Sequence, residues 1–268
     1  MTIGGATRLV GLIGDPVDHS LSPLMQNSAF AAVALDWAYV PLPVGRERLE
    51  EAVSGLEALG FAGANVTIPH KTAVVSFCDE LDEVAARAGS VNTLVVRDGH
   101  VLGSSTDGPA VVGLVEADGA RALVLGAGGG AQAVATSLGD AGAESITVSA
   151  RDAERAHPLA VRLRTLFPER RISAEAEWPP ATGDASLVVN ATPIRDEVPV
   201  ELAPELQVVD LAYKQDGSLT ALVAAARQAG CQRIVDGLDV LLGQGAASFE
   251  RWTGVEAPVG VMRAALSR

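Results

Sequence analysis

The sequence predicts an α/β protein of two domains, and three observations carry that prediction. Short apolar runs alternate with helical segments along the chain. An Asp98-Gly99 pair between two apolar segments marks a β-hairpin. Beyond Arg121 the pattern becomes strand, glycine-rich turn and helix, continued in a βαβ-like series. At 268 residues the chain can bury one large core or two modest ones. Apolar residues make up 48% and aromatic ones 4%, so small aliphatic side chains are expected to fill those cores.

Taken in order, Arg8–Gly14 (RLVGLIG) reads as a buried strand. Ser22, as a cap with Pro23 at the first helical position, opens a helix to about Ala34. Trp37–Pro41 is a second strand, and Arg46–Leu59 a helix with Leu49, Val53 and Leu56 on one face. Phe61–Ile68 is a third strand closed by Pro69, and helical material follows from Lys71 to Ala88. Thr93–Arg97 and His100–Ser104 pair across the Asp98-Gly99 turn. In the second half, Ala122–Leu125 is a strand and the glycine-rich turn opens a helix to about Asp140. Ser145–Ala150, with a helix after it, and then Ser186–Ala191 and Val208–Leu211 continue the series. Val240–Trp252 is a helix after an Asp236-Gly237 turn. The division falls near residue 107: residues 1–107 with 238–268 form one domain, and 108–237 the other.

Composition excludes several classes of function. No run approaches the roughly eighteen apolar residues of a membrane span, and the first residues lack a secretion signal, so a cytoplasmic protein is expected. A net charge of −13 argues against nucleic acid or anionic lipid as a partner. Cys78 and Cys231 have no metal or redox spacing and read as buried thiols in a reducing compartment. His19 and His70 lack a second ligand at metal spacing, so no metal is expected.

Gly126-Ala127-Gly128-Gly129-Gly130-Ala131 lies between a predicted strand and a predicted helix, the context a dinucleotide-binding turn requires. Its glycines let the backbone approach a pyrophosphate, whose charge meets the N–H groups of the helix start. Ala131 replaces the third glycine, which the motif permits. At the end of the next strand an acidic residue would suit the ribose of NAD. Here Ala150 is followed by Arg151, Asp152 and Arg155. Two arginines suit the 2′-phosphate of NADP, whereas Asp152 opposes it, so NADP is favoured and NAD stays open.

Polar clusters interrupt the apolar first half: His19-Ser20-Leu21-Ser22-Pro23, Asn65-Val66-Thr67-Ile68-Pro69-His70-Lys71, Ser90-Val91-Asn92-Thr93 and Ser105-Thr106-Asp107-Gly108. Lys71 follows a strand end and a Pro-fixed turn, where an ammonium can be held to stabilise and protonate a developing oxyanion. Asp107 could orient it. Counting back from the hairpin turn pairs Asn92 with Ser105, which makes Asn92 and Asp107 diagonal neighbours roughly 7–8 Å apart if the ladder continues. Ser22 is explained by helix capping as well as by ligand contact, whereas capping does not explain Ser20.

In this combination and order the clusters resemble the shikimate dehydrogenase family, including its quinate-using relatives. Asn190-Ala191-Thr192-Pro193, and Gln244 ahead of Trp252-Thr253-Gly254, fit the same family, and the resemblance covers essentially the whole chain. It implies a substrate-binding domain, a Rossmann-like dinucleotide domain, and an active site in the cleft between them. The implied reaction is NADP-dependent interconversion of 3-dehydroshikimate and shikimate, in aromatic amino-acid biosynthesis, by a monomer or homodimer. Carried over by residue, Ser20 and Ser22 would hold the substrate carboxylate, and Thr67, Asn92, Tyr213 and Gln244 would contact the ring or its neighbouring atoms. Lys71 and Asp107 would be the catalytic pair. Gly126 to Gly130, Ala150, Arg151, Asp152, Arg155, Leu211 and Gly237 would touch the cofactor, with Glu83 at its periphery. Ser105 stands where the family usually has Asn, Ala110 where it has Gly, and Gln26 where His is common. Those departures bear on the substrate. The alternatives are a paralogue using quinate or a related cyclitol acid with NAD, and an idle dinucleotide-binding protein.

Overall fold

In the computed structural model of the chain, residues 3–267 are described. The chain divides into two compact units, Met1–Thr106 with Leu241–Arg268, and Asp107–Val240.

The first unit contains β1 (Arg8–Gly14), α1 (Ser22–Ala32), β2 (Trp37–Pro43), α2 (Leu49–Ala58), β3 (Gly63–Val66), β4 (Glu80–Leu81), α3 (Glu83–Ala88), β5 (Thr93–Arg97) and β6 (His100–Ser104). Its sheet runs β2-β1-β3-β5-β6-β4. β1 has parallel partners on both sides, β2 and β3, which is why its sequence is nearly all apolar. β5 and β6 form the predicted hairpin, with Arg97 opposite His100. Asp98 (φ 50°) and Gly99 (φ 76°) both take the positive φ that a two-residue hairpin turn of this kind requires.

The second unit contains α4 (Asp107–Val112), β7 (Arg121–Leu125), α5 (Gly129–Asp140), β8 (Ser145–Ser149), α6 (Ala153–Leu166), β9 (Arg171–Glu175), β10 (Leu187–Asn190), β11 (Gln207–Asp210), α7 (Ala221–Ala229) and β12 (Arg233–Val235). All its strands are parallel, in the order β12-β11-β10-β7-β8-β9. The chain enters at β7, moves outward to β9, then returns to β10 on the other side. That reversal puts a topological switch point between β7 and β10, where ligands of open α/β sheets bind at the strand ends. α8 (Gly237–Thr253) and α9 (Val259–Leu266) complete the chain.

Several elements differ from the sequence reading. Lys71–Ala88 is not one helical stretch: a 3-10 turn at Ala73–Phe77 is followed by β4, which pairs with Leu102 and Gly103 of β6. α1 ends at Ala32, and Ala34 turns the chain with φ 55°. β9, β12, α7 and α9 have no counterpart in the sequence reading. Gly237 is the first residue of α8, and Asp236 caps that helix by accepting the N–H groups of Leu238 (2.9 Å) and Asp239 (3.1 Å).

The cores differ too. The second unit is packed from small aliphatics such as Val124, Ala131, Leu138, Ile146 and Val209. The first gathers the scarce aromatics, with Phe30 5.5 Å from Trp37 and 5.3 Å from Phe249, so its core is not purely aliphatic. Trp252 is buried and donates its indole N–H to Leu94 O at 2.9 Å. Both cysteines are free and half-buried rather than fully buried, and burial beside Asp79 pushes the Cys78 thiol up to about 11. Among the described residues, no helix is long and apolar enough to cross a membrane.

Candidate functional site

In the first unit the predicted residues sit on loops at the ends of β1, β3 and β5, at the start of α1 and on α8. Thr67 follows β3, and its N–H bonds Ile13 O at 2.8 Å. A Cβ on Gly14 would strike the Thr67 side chain, so glycine is needed for these loops to meet. The half-buried Lys71 lies four residues on, and its carbonyl accepts the Val91 N–H at 2.8 Å. That bond ties the lysine loop to the residue before Asn92.

Asn92, 2% exposed, is the centre of a buried polar network. Its Oδ1 accepts the Thr106 N–H (2.8 Å), and its Nδ2 donates to Thr106 Oγ1 (2.8 Å) and Gln244 Oε1 (3.2 Å). Thr106 Oγ1 also reaches Gln244 O at 3.1 Å. Below them, Asn65 donates to Asn92 O (3.0 Å) and Ser248 Oγ (3.0 Å) and accepts the Tyr39 hydroxyl (2.9 Å). Gln26, on α1, donates to Gly245 O at 2.9 Å, so it stands beside the same turn of α8 as Gln244. Burial demands partners for such groups, and the Asn65, Asn92 and Thr106 side chains find theirs in the chain, whereas the buried Gln26 Oε1 has none among the described residues.

Two expectations are corrected. The hairpin ladder ends at Thr93–Ser104, so the residue brought to Asn92 is Thr106, and the diagonal count to Asp107 does not apply. The chain leaves the sheet there because Asp107 begins α4. Ser22 is not the cap of α1: it is a buried helical residue behind Leu21, which makes no side-chain cap. Ser20 supplies the local bond, its Oγ accepting the Ser22 N–H at 3.2 Å. The capping chemistry therefore belongs to the serine for which the sequence offered no capping role.

The second unit holds Asp107, the glycine turn, Tyr213 and the other predicted cofactor residues. Asp107 is 5% exposed at the start of α4. Gly108 beside it lets α4 approach α5, because a Cβ there would strike Ala133 O and Ser137. Gly126 has φ 115°, and a Cβ on it would lie 3.0 Å from Ala191 O and 3.3 Å from Thr192 Cγ2. Gly128 caps α5 with no side chain over the helix start, and a Cβ on it would meet nothing within 4 Å. The backbone is thus bare where the first N–H groups of α5 have no partner within the helix, which fits the pyrophosphate of a dinucleotide.

Leu211 lies by the same turn: a Cβ on Gly130 would be 3.6 Å from its Cδ2. Gly237 lies against the carbonyls of Leu211 and Ala212. The half-buried Tyr213 follows. Ala150, buried, follows directly after β8, while Arg151, Asp152 and Arg155 are exposed. Asp152 caps α6, accepting the Glu154 N–H at 3.1 Å. Its carboxylate is therefore partly committed to the helix, and the two arginines are the exposed cations beside it. Glu83, in α3 of the first unit, is exposed and lies apart in sequence and unit from the glycine turn.

The sequence reading assigned no role to Asn65, Thr106, Ser248, Asn190 or Asp210. Its available signal was a polar residue inside or at the end of an apolar strand. Asp210 is fully buried, and burial pushes its carboxyl up to about 6. Hydrogen bonds from Thr220, Ala212 and Asn190 oppose that rise, and Asp236 adds to it.

Residues 12–94 match the shikimate dehydrogenase substrate binding domain, and residues 237–266 the shikimate 5'-dehydrogenase C-terminal domain. A shikimate dehydrogenase (NADP(+)) of Rubrobacter xylanophilus is 45% identical, over 99% of this chain and 97% of its own. The corresponding protein of Moorella thermoacetica is 43% identical over 97% and 92%. A crystal structure of a shikimate dehydrogenase in complex with NADP+ superposes with a TM-score of 0.87 at 34% identity, over 99% and 96% of the two chains. With that identity across its length, the chain belongs to the shikimate dehydrogenase family.

Proposed function

We infer that the chain interconverts 3-dehydroshikimate and shikimate with NADP(H), as a cytoplasmic enzyme of aromatic biosynthesis. The observation that carries this reading is the 40–45% identity, over 97% or more of the chain, to three NADP-dependent shikimate dehydrogenases. The bare glycine turn at a sheet switch point and the buried polar network around Asn92 support it from the chain itself.

In the reduction, the hydride for the ring carbonyl carbon would come from NADPH held at the glycine turn Gly126 to Gly130. Lys71 stabilises the oxygen as it gains charge and donates a proton to it from Nζ. Asp107, the second member of the proposed catalytic pair, follows directly after Thr106, which the Asn92–Gln244 network holds. Ser20 and Ser22 donate hydroxyl hydrogen bonds to the substrate carboxylate beside the start of α1, a favourable place for an anion. Thr67 and Tyr213 bind ring hydroxyls. Asn92 joins them by exchanging its Nδ2 bond to Gln244 Oε1, at 3.2 Å, for a ring hydroxyl. Gly126, Ala127, Gly128, Gly129 and Gly130 carry the pyrophosphate, Arg151 and Arg155 the 2′-phosphate, and Ala150, Asp152, Leu211 and Gly237 the rest of the dinucleotide.

Steady-state oxidation of shikimate and of quinate, each with NADP and with NAD, tests the reading. The expected result is the highest kcat/KM for shikimate with NADP. Preference for quinate with NAD would overturn the substrate and cofactor together, and no turnover with any pair would make the chain a binding protein.

A further inference from the structure

Asp210 ends β11 and is shared by three segments of the second unit. Its Oδ1 accepts from Asn190 Nδ2 at the end of β10 (2.8 Å) and from the Ala212 N–H (2.9 Å). Its Oδ2 accepts from Thr220 Oγ1 (2.6 Å), the hydroxyl that also caps α7 by accepting the Val223 N–H at 3.3 Å. The charged group facing this carboxylate is Asp236, ahead of α8; the groups that bond it from β10, α7 and its own segment are neutral.

The consequence lies in Asn190. An ionised carboxylate only accepts, so it selects the NH2 end of the Asn190 amide. That leaves Asn190 Oδ1 facing Thr192, whose N–H (3.0 Å) and hydroxyl (2.6 Å) it accepts. Ala191 and Thr192 are the wall against which Gly126 turns. On the other side, the bond to the Ala212 N–H pins the segment that brings Leu211 toward Gly130.

We propose that Asp210 is a positioning residue for the dinucleotide turn: its carboxylate, which takes the shorter of the two Asn190 Nδ2 bonds (2.8 Å, against 3.3 Å to Ile194 O), governs which way the Asn190 amide faces, and through it seats Ala191 and Thr192 against Gly126. The proposal rests on the cofactor reading of that turn. A protonated carboxyl carries an O–H that can donate to Asn190 Oδ1, and the amide can then turn over and release Thr192. Burial of Asp210 puts that change just below neutrality.

NADP alone, titrated calorimetrically into wild type and Asp210→Asn, tests this. At about pH 7.5 the variant should bind about fivefold more weakly or worse, and acidification to about pH 5 should weaken wild type about fivefold more than the variant. The 2′-phosphate ionises in this range with both proteins, so the difference between them is the readout. Equal affinities at neutral pH, or parallel pH slopes, overturn the proposal. A second measurement uses ligand-free protein: the Asn190 side-chain amide resonances should titrate with a midpoint near 6, and Asp210→Asn should abolish that titration. Thr220→Val, which removes one donor to the carboxylate, should move the midpoint upward. An Asn190 amide indifferent to pH in wild type overturns the proposal alone. Wild type that binds no NADP at any pH overturns the cofactor reading, and with it the role assigned to Asp210.

Discussion

The role proposed for Lys71 requires an ammonium held steadily beside a reacting oxygen, and its neighbours in the chain would supply that hold. The His70 N–H returns to Thr67 O at 2.9 Å, the buried His70 ring bonds Val44 O at 2.6 Å, and the Lys71 carbonyl takes the Val91 N–H. Backbone is fixed on both sides of a half-buried side chain. Lys71→Ala should therefore lower kcat for shikimate oxidation by about 100-fold or more, while KM changes less than about tenfold. Steady-state kinetics decides it, and a variant within about threefold of wild-type kcat would remove Lys71 from the mechanism. Asn92 differs in kind, because its amide is bonded inside the protein on both sides. Asn92→Ala leaves the Thr106 N–H buried without an acceptor, at about 1–3 kcal/mol. Loss of the network should lower thermal stability and kcat/KM together; full activity in a destabilised protein would show that Asn92 only supports the fold.

The glycine turn separates conformation from approach, because its glycines are needed for different reasons. Gly126 holds φ 115° close to Ala191 O, so Gly126→Ala should destabilise the chain by about 1–3 kcal/mol, measured by urea unfolding. Gly128 has φ −82° and open space about its Cβ position, so Gly128→Ala should leave stability nearly unchanged. The added methyl lies where a pyrophosphate would approach the helix start, and NADP should bind about tenfold more weakly or worse. Unchanged NADP affinity in a stable Gly128→Ala protein would sink the pyrophosphate assignment. This turn and the Asp98-Gly99 hairpin were legible in the sequence because their chemistry is local: a few residues dictate the backbone. The short or outer strands β4, β9 and β12 were not, since each depends on a partner distant in sequence, as Glu80 depends on Leu102. The network of Asn65, Thr106 and Ser248 was hidden for a related reason. Single polar residues in apolar segments have no period, and only the packing of α8 on the first sheet gives them partners. Asp107 was misplaced as a hairpin neighbour of Asn92, because the start of α4 ends the ladder.

At the scale of the whole molecule, one buried carboxylate should leave a signature in the stability curve. Asp210 titrates at about 6 in the folded chain against an ordinary 3.8, chiefly because burial disfavours its charge. The folded state therefore holds this proton more tightly than the unfolded state does. Its contribution to stability is fully present below about pH 4, falls as pH rises toward 6, and stays low above that. Roughly two pH units of difference at about 1.4 kcal/mol each amount to about 3 kcal/mol. Other carboxylates add slopes of their own, so wild type must be read against Asp210→Asn, where their effects cancel. An Asn alters the hydrogen bonds by an amount that does not vary with pH, whereas the proton-linked part does. The free energy of unfolding of the variant relative to wild type should therefore rise by about 2 kcal/mol between about pH 4 and pH 7. Urea titrations of both proteins across that range measure it. A constant difference would mean that Asp210 keeps an ordinary carboxylate pKa inside the fold, and that its three donors just offset its burial.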